Sequence, residues 1–130
     1  MPKYLSQEWH DASRVLAQAF PEKPGATAKL GYHVTGAPGG DAHYYMIIDN
    51  GKVLEQANGA RDDLDVTLVS SYEDSVKIQK GELDASAAFM QGKVKVAAGG
   101  NMGKMMALLP LTMSPEYKAI QQQVQEITEY

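Results

Sequence analysis

Few residues in this chain have the type and spacing that chemistry demands. It has three histidines, His10, His33 and His43, and no cysteine. The missing thiols exclude a cysteine nucleophile, a thiolate metal site and a disulfide framework. His33 and His43 flank one loop and can approach across a strand pair, but two histidines without a third ligand read as polar strand residues, and no metal site is expected. Serines are frequent, yet none stands in the Gly-x-Ser-x-Gly elbow of a hydrolase nucleophile. GARDDLD brings Asp62, Asp63 and Asp65 near Arg61, where paired carboxylates could do acid–base work. Nothing around them would desolvate and perturb those groups, so a solvated loop is the expected reading. GGNMGK lacks the glycine spacing and the Gly-Lys-Ser/Thr ending of a phosphate loop. No catalytic residue and no cofactor is expected.

What remains is apolar. Met102, Met105, Met106 and Leu109 stand at i, i+3, i+4 and i+7, the spacing of one face of a helix about two turns long. Phe89 and Met90 precede this segment and Met113 follows it. Methionine is flexible and polarizable, which suits irregular gaps and adaptable apolar surfaces. Composition alone favours a filled core here over a lined cavity.

The elements that must position these residues follow from period and punctuation. Ser6 caps a first helix with Leu5, Trp9, Ala12, Leu16 and Ala19 on one stripe, ended by Pro21 and Pro24. AKLGYHVT alternates Leu30, Tyr32 and Val34 with polar residues, as a half-buried strand does. HYYMIID places Tyr44, Met46 and Ile48 on one face and Tyr45 and Ile47 on the other. Asn50-Gly51 is the strongest hairpin signal; it predicts the pairs Ile48–Val53, Ile47–Leu54 and Met46–Glu55. DVTLV is a fourth strand after a polar loop, and the four read as an antiparallel meander. Ser70-Ser71 and Asp84 cap two helices stopped by Gly81 and Gly92. KVKVA is a fifth strand, Asn101 caps a short helix that ends before Pro110, and Ser114-Pro115-Glu116 starts the last helix. That helix carries Tyr117, Ile120, Val124 and Ile127 on a narrow stripe. This order predicts an α+β domain with helices packed against a sheet.

The 130 residues suffice for a single domain spanning 1–130 with a modest core. A net charge of −4 lacks the basic footprint that phosphate neutralisation requires, so no nucleic-acid partner is expected. No stretch reaches the ~20 apolar residues of a membrane span. MPKYLSQEWHD turns polar at once, without a visible secretory signal, and a cytoplasmic location is expected.

GELDASAAFMQGKVKVAAGGNMGKMMALLPL resembles the signature of the sterol carrier protein 2 (SCP-2) family. Its parts are a Gly-x-Leu-Asp helix start, an Ala-Phe-Met-x-Gly-Lys-hydrophobic-Lys-hydrophobic step, and Gly-Asn-Met before a methionine-rich helix. DNGKV and DDLDVTLVSSYEDSVKIQKG are similar to the family's hairpin, fourth strand and following helix, and YLSQEWHDA to the first helix of small bacterial members. The likeness covers most of residues 28–111. VAAGGNM is longer by about a residue than the family's step; such an insertion bulges the strand end or shifts the methionine helix.

The resemblance implies a five-stranded, mainly antiparallel sheet covered on one face by about five helices, enclosing an apolar tunnel for lipids, fatty acyl chains or sterols. It implies a non-catalytic binder whose tunnel is lined by Phe89, Met90, Met102, Met105, Met106 and Leu109. Tyr44, Met46 and Leu68 contribute from the sheet, and Ile120 and Val124 from the last helix. Lys93, Lys95 and Lys104 either meet an anionic headgroup at the mouth or form a solvated face. The last helix closes the cavity, acts as a lid or makes a homodimer contact. The competing class is a domain that presents substrate to a partner enzyme, or a cavity in which His33, His43, Tyr44 or Glu55 moves a proton.

Overall fold

The computed structural model describes residues 1–130. Its order is α1 (Gln7–Ala17), β1 (Ala28–Thr35), β2 (Ala42–Asp49), β3 (Lys52–Asn58), β4 (Val66–Ser71), α2 (Tyr72–Gln79), α3 (Ala85–Met90), β5 (Val94–Val96), α4 (Met102–Met106), α5 (Leu109–Thr112) and α6 (Pro115–Glu126). Five of the six helices begin on a polar side chain that accepts a backbone N–H three residues on. Ser6 accepts from Trp9, Ser71 from Asp74, Asp84 from Ala87, Asn101 from Lys104 and Ser114 from Tyr117. Each cap satisfies a donor that the first helical turn leaves free.

The five strands form one sheet in the order β3-β2-β1-β4-β5. The sheet is mainly antiparallel, with one parallel pair, β1 with β4. The expected meander is therefore broken after β3: β4 does not join β3 but crosses to the far side of β1. Residues 59–65 span roughly 23 Å when extended, ample for the roughly 14 Å of three strand spacings. Their path lies over the open face of the sheet. Arg61 sits 5.0 Å from the Tyr45 ring, Lys29 Nζ is 3.1 Å from Asp63, and Leu64 occupies the space a side chain at Gly31 would need. Asp65 ends the crossing by accepting from Lys29 N and donating its own N–H to Lys29 O, both at 2.8 Å.

The hairpin at Asn50-Gly51 forms as expected, with both residues at positive φ. Ile48 pairs with Val53 as expected, but a bulge follows, so Ile47 meets Glu55 and Met46 meets Gln56. The one-residue shift puts Gln56 rather than Glu55 opposite Met46 and turns it inward, while Leu54 lies exposed. Without it, Glu55 would face the core opposite Met46.

One face of the sheet is covered by helices. Ala28, Leu30, Tyr32 and Val34 of β1 share it with Tyr44, Met46 and Ile48 of β2 and Val66 and Leu68 of β4. The main core joins Ala17, Phe20, Ala26, Ala28, Leu30, Ile48, Val53, Val66, Leu108, Leu111 and Ile120. A smaller cluster of Tyr4, Trp9 and Val124 holds the chain ends together. There Trp9 Nε1 donates to Thr128 Oγ1 at 2.9 Å, and Tyr4 N donates to Glu129 O at 2.8 Å.

The glycine pair after β5 does not bulge the strand: Val94, Lys95 and Val96 pair in unbroken register with Ser70, Val69 and Leu68. Residues 97–100 form a turn instead, with Gly99 at φ +83° and Asn101 N donating to Asp65 O at 2.8 Å. A methyl group at Gly100 would stand 2.6 Å from Val96 Cγ1 and 3.1 Å from Val66 Cγ2. Gly100→Ala should therefore cost about 1–3 kcal/mol by overpacking, read from urea denaturation. A cost near zero would mean that Val96 swings freely out of the way.

Candidate functional site

Of the eleven residues expected to line a cavity, the structure gathers four around one interior region. Met46 and Leu68 point inward from adjacent parts of the sheet, Met105 packs down from α4, and Ile120 is buried on α6. Tyr44 is buried beside them on β2, its ring stacked on that of its strand partner Tyr32 at 4.5 Å. Val124 lies apart, in the cluster with Tyr4 and Trp9. Phe89, Met90, Met102, Met106 and Leu109 are exposed, Met90 the most at 86%.

The methionine segment is not one two-turn helix. α4 stops at Met106, and a separate turn, α5, begins at Leu109 with Pro110 in its first positions. In a continuous helix the Pro110 ring would strike the carbonyl of Met106. Within α4, Met105 packs inward whereas Met102 and Met106 are exposed. No residue of α4 is fully buried.

The interior region has an unusual surface. Tyr32, Met46, Leu68 and Val96 on the covered face of the sheet, with Met105 and Tyr117 from the helices, are only half-buried. Their sheet neighbours Leu30, Val34, Ile48 and Val66 are almost wholly buried. Tyr117 packs its ring 5.0 Å from Phe20. Burial raises the Tyr32, Tyr44 and Tyr117 phenols above their ordinary range, Tyr44 furthest, and neighbouring phenols add to the shift at Tyr32 and Tyr44. Periodicity places Tyr32 and Tyr117 on inward stripes but carries no signal that both pack against one core.

His10 is another group whose place periodicity does not reveal. It is fully enclosed between α1 and β3, where its Nε2–H donates to Asn58 Oδ1 at 2.9 Å and its Nδ1 accepts from Gln56 Nε2 at 3.0 Å. Those partners fix a neutral tautomer, and burial pushes the imidazole below its usual 6.5. The unfolded chain binds the proton more readily, so this contribution is complete above about pH 6.5 and is lost as pH falls through the window below it. The urea midpoint of the native protein should fall from neutral pH toward about pH 5 more steeply than that of His10→Gln. Equal slopes would refute the assignment.

The groups considered for proton transfer do not converge. Tyr44 faces the interior, whereas His33, His43 and Glu55 lie on the open face. There the two histidine rings stack at 4.2 Å, and His33 Nε2 is 3.0 Å from Asp41. Arg61 and Lys29 hold the Asp63 carboxyl well below the usual range on the same face.

Two surface clefts stand out, and neither includes any of the eleven residues. One is a shallow groove beside α2, lined by Tyr72, Val76 and Lys80 among others. The larger, of about 600 Å³, lies between residues 3–6, the β1–β2 turn at 37–42, Tyr72 and the C-terminal Glu129 and Tyr130. Tyr4 forms part of its wall, and no helix of the chain is long and apolar enough to cross a membrane.

The comparisons with known proteins agree with this architecture. Sterol carrier protein 2 of Rattus norvegicus is 34% identical over 88 residues, 65% of this chain but only 15% of that protein's length. A crystal structure of sterol carrier protein 2 superposes with a TM-score of 0.71 at 11% identity, covering 98% of this chain and 100% of the other. A stereoselective inverting sec-alkylsulfatase from Pseudomonas sp. contains a similar fold, with a TM-score of 0.56 at 22% identity over 81% of this chain and 16% of that one. These two structural likenesses are of fold. The family model of the SCP-2 sterol transfer family matches residues 14–112, from within α1 to the end of α5, and the chain belongs to that family.

Proposed function

We propose that this protein binds and carries an apolar small molecule, a lipid, fatty acyl chain or sterol, between its sheet and its helices. The observation that carries the reading is the half-buried state of Tyr32, Met46, Leu68 and Val96 on the covered side of the sheet and of Met105 and Tyr117 on the helices packed against the same core. Side chains in a finished core are close-packed. These six retain accessible surface that an apolar guest would cover, at a gain of ~0.8 kcal/mol per buried CH₂. A chain of about a dozen carbons supplies enough to leave micromolar binding after association costs. Met46, Leu68, Met105 and Ile120 wall the guest, with Tyr44 at one end. Phe89, Met90, Met102, Met106 and Leu109 fold over it when it is bound, and Val124 supports α6 from behind. Three of these five outer residues belong to α4 and α5, helices of five and four residues, too short to be stable by themselves. No catalytic group is needed for this task.

Organic extraction of the purified protein, or its native mass spectrum, should reveal a co-purifying lipid, and added apolar probe should slow amide exchange across α4 and α5. Absence of micromolar binding by any apolar probe would end the carrier reading. A second reading, a domain that presents substrate to an enzyme, is favoured by the small share of the rat relative and of the sulfatase that this chain matches. A longer parent chain, or a partner enzyme whose rate rises with the loaded protein, would establish it.

A further inference from the structure

Tyr32, Tyr44 and Tyr117 raise a question that an apolar lining does not answer. On the open face, Tyr45 donates its hydroxyl to Glu55 at 2.7 Å. The hydroxyls of Tyr32, Tyr44 and Tyr117 meet no protein acceptor, and only burial and other phenols perturb them. Tyr44 is 6% exposed. A buried hydroxyl without a partner is costly. Yet Ser13 Oγ is the one buried side-chain oxygen or nitrogen sealed off without a partner. The three phenol oxygens are therefore unpartnered but not sealed, and each borders open space. Tyr32 and Tyr44 are strand partners with stacked rings. Tyr117, on α6, packs against the same core as Tyr32.

We infer that these three hydroxyls form the polar end of the ligand site and select an apolar ligand that ends in a neutral oxygen, an alcohol or a carbonyl. This rests on the proposed carrier reading and specifies its ligand class. A phenol both donates and accepts, so it can pair with a hydroxyl or a carbonyl oxygen. No lysine or arginine acts on the three phenols, and His10, whose ring lies 4.8 Å from that of Tyr44, is held as the neutral tautomer by Asn58 and Gln56. An ionised carboxylate placed there would lose its hydration without a counter-charge, which disfavours the charged form strongly. The site therefore favours a fatty alcohol or a sterol over a fatty-acid anion of the same length.

The test compares decane, decanol and decanoate at mildly alkaline pH in the native protein and in the Tyr32→Phe/Tyr44→Phe/Tyr117→Phe variant, by displacement of a fluorescent apolar probe. The native protein should bind decanol at least about tenfold more tightly than decanoate, consistent with an unpaired buried charge. In the variant, decanol should weaken about tenfold relative to decane, the size expected for losing one or two hydrogen bonds. Decanol, but not decane, should also shift the tyrosine band in the ultraviolet difference spectrum of the native protein. An unchanged decanol-to-decane ratio in the variant would overturn the inference, as would decanoate binding as tightly as decanol. Either result leaves the cavity reading standing so long as decane binds. If no ligand binds the native protein, the carrier reading itself fails. Tyr32→Phe and Tyr44→Phe singly, each expected to lose part of the decanol preference, serve if the triple variant does not fold.

Discussion

Met105→Glu is expected to weaken apolar-probe binding by at least about 100-fold while the far-UV signals of helix and strand stay close to native. Met105 is the one residue of the methionine segment's first turn that packs against the main core. A carboxylate there must either enter the guest's space or swing out and pull α4 with it. Excluding an apolar chain, or burying a charge beside it, costs several kcal/mol, and about 3 kcal/mol already accounts for the 100-fold. The fold should tolerate the change because α4 has only five residues and none is fully buried. The ladders of β1 with its neighbours and the caps of the other helices do not depend on it. Probe titration together with circular dichroism decides the matter. Cooperative unfolding of the variant would instead mark Met105 as part of a filled core, and unaltered affinity would remove α4 from the binding wall.

Phe20→Ala addresses the part of the molecule that must stay rigid for any guest to be held. Phe20 is 2% exposed, follows α1 directly, and packs its ring against Tyr117. Its carbonyl accepts from Lys52 Nζ, tying the end of α1 to β3. Removing a buried phenyl costs about 3–5 kcal/mol through lost transfer energy and the cavity left behind. Against a typical total of about 5–15 kcal/mol this is a large fraction, and it should lower Tm by about 10–20 °C. Thermal denaturation followed by near-UV circular dichroism measures it. A loss under about 1 kcal/mol would show that the α1 end and α6 collapse onto each other, and that the packing there is less constrained than the ring geometry indicates.

The contrast between those two sites is the one that separates local from long-range information. The caps Ser6, Ser71, Asp84, Asn101 and Ser114 are legible in the chain because each acts within four residues of itself. So is the positive φ of Asn50 and Gly51, and so is the inward set Tyr44, Met46 and Ile48, fixed by the two-residue period of a strand. The family signature is likewise a run of neighbouring residues, and it supplied the fold class before any contact was known.

What the tertiary structure alone decided concerns partners distant in sequence. Nothing local tells β4 to pair with β1 rather than β3; Asp65 meeting Lys29 and Val66 settling beside Leu30 settle it. The bulge after Ile48 turns Gln56 toward His10, two residues 46 positions apart, and makes a neutral buried histidine of one that looked isolated. Pro110 starts a separate turn after α4, and α4 itself packs only Met105 against the core while Met102 and Met106 stay exposed, so that spacing alone assigned to one side residues that the chain divides between two. By itself the sequence determined the elements, their caps and the family, because propensity, period and turn chemistry act over a few residues. Only the folded chain decided which apolar side chains remain partly uncovered and that the phenols of Tyr32, Tyr44 and Tyr117 are left without hydrogen-bond partners. Both depend on what packs across the sheet, and no neighbour in sequence specifies that.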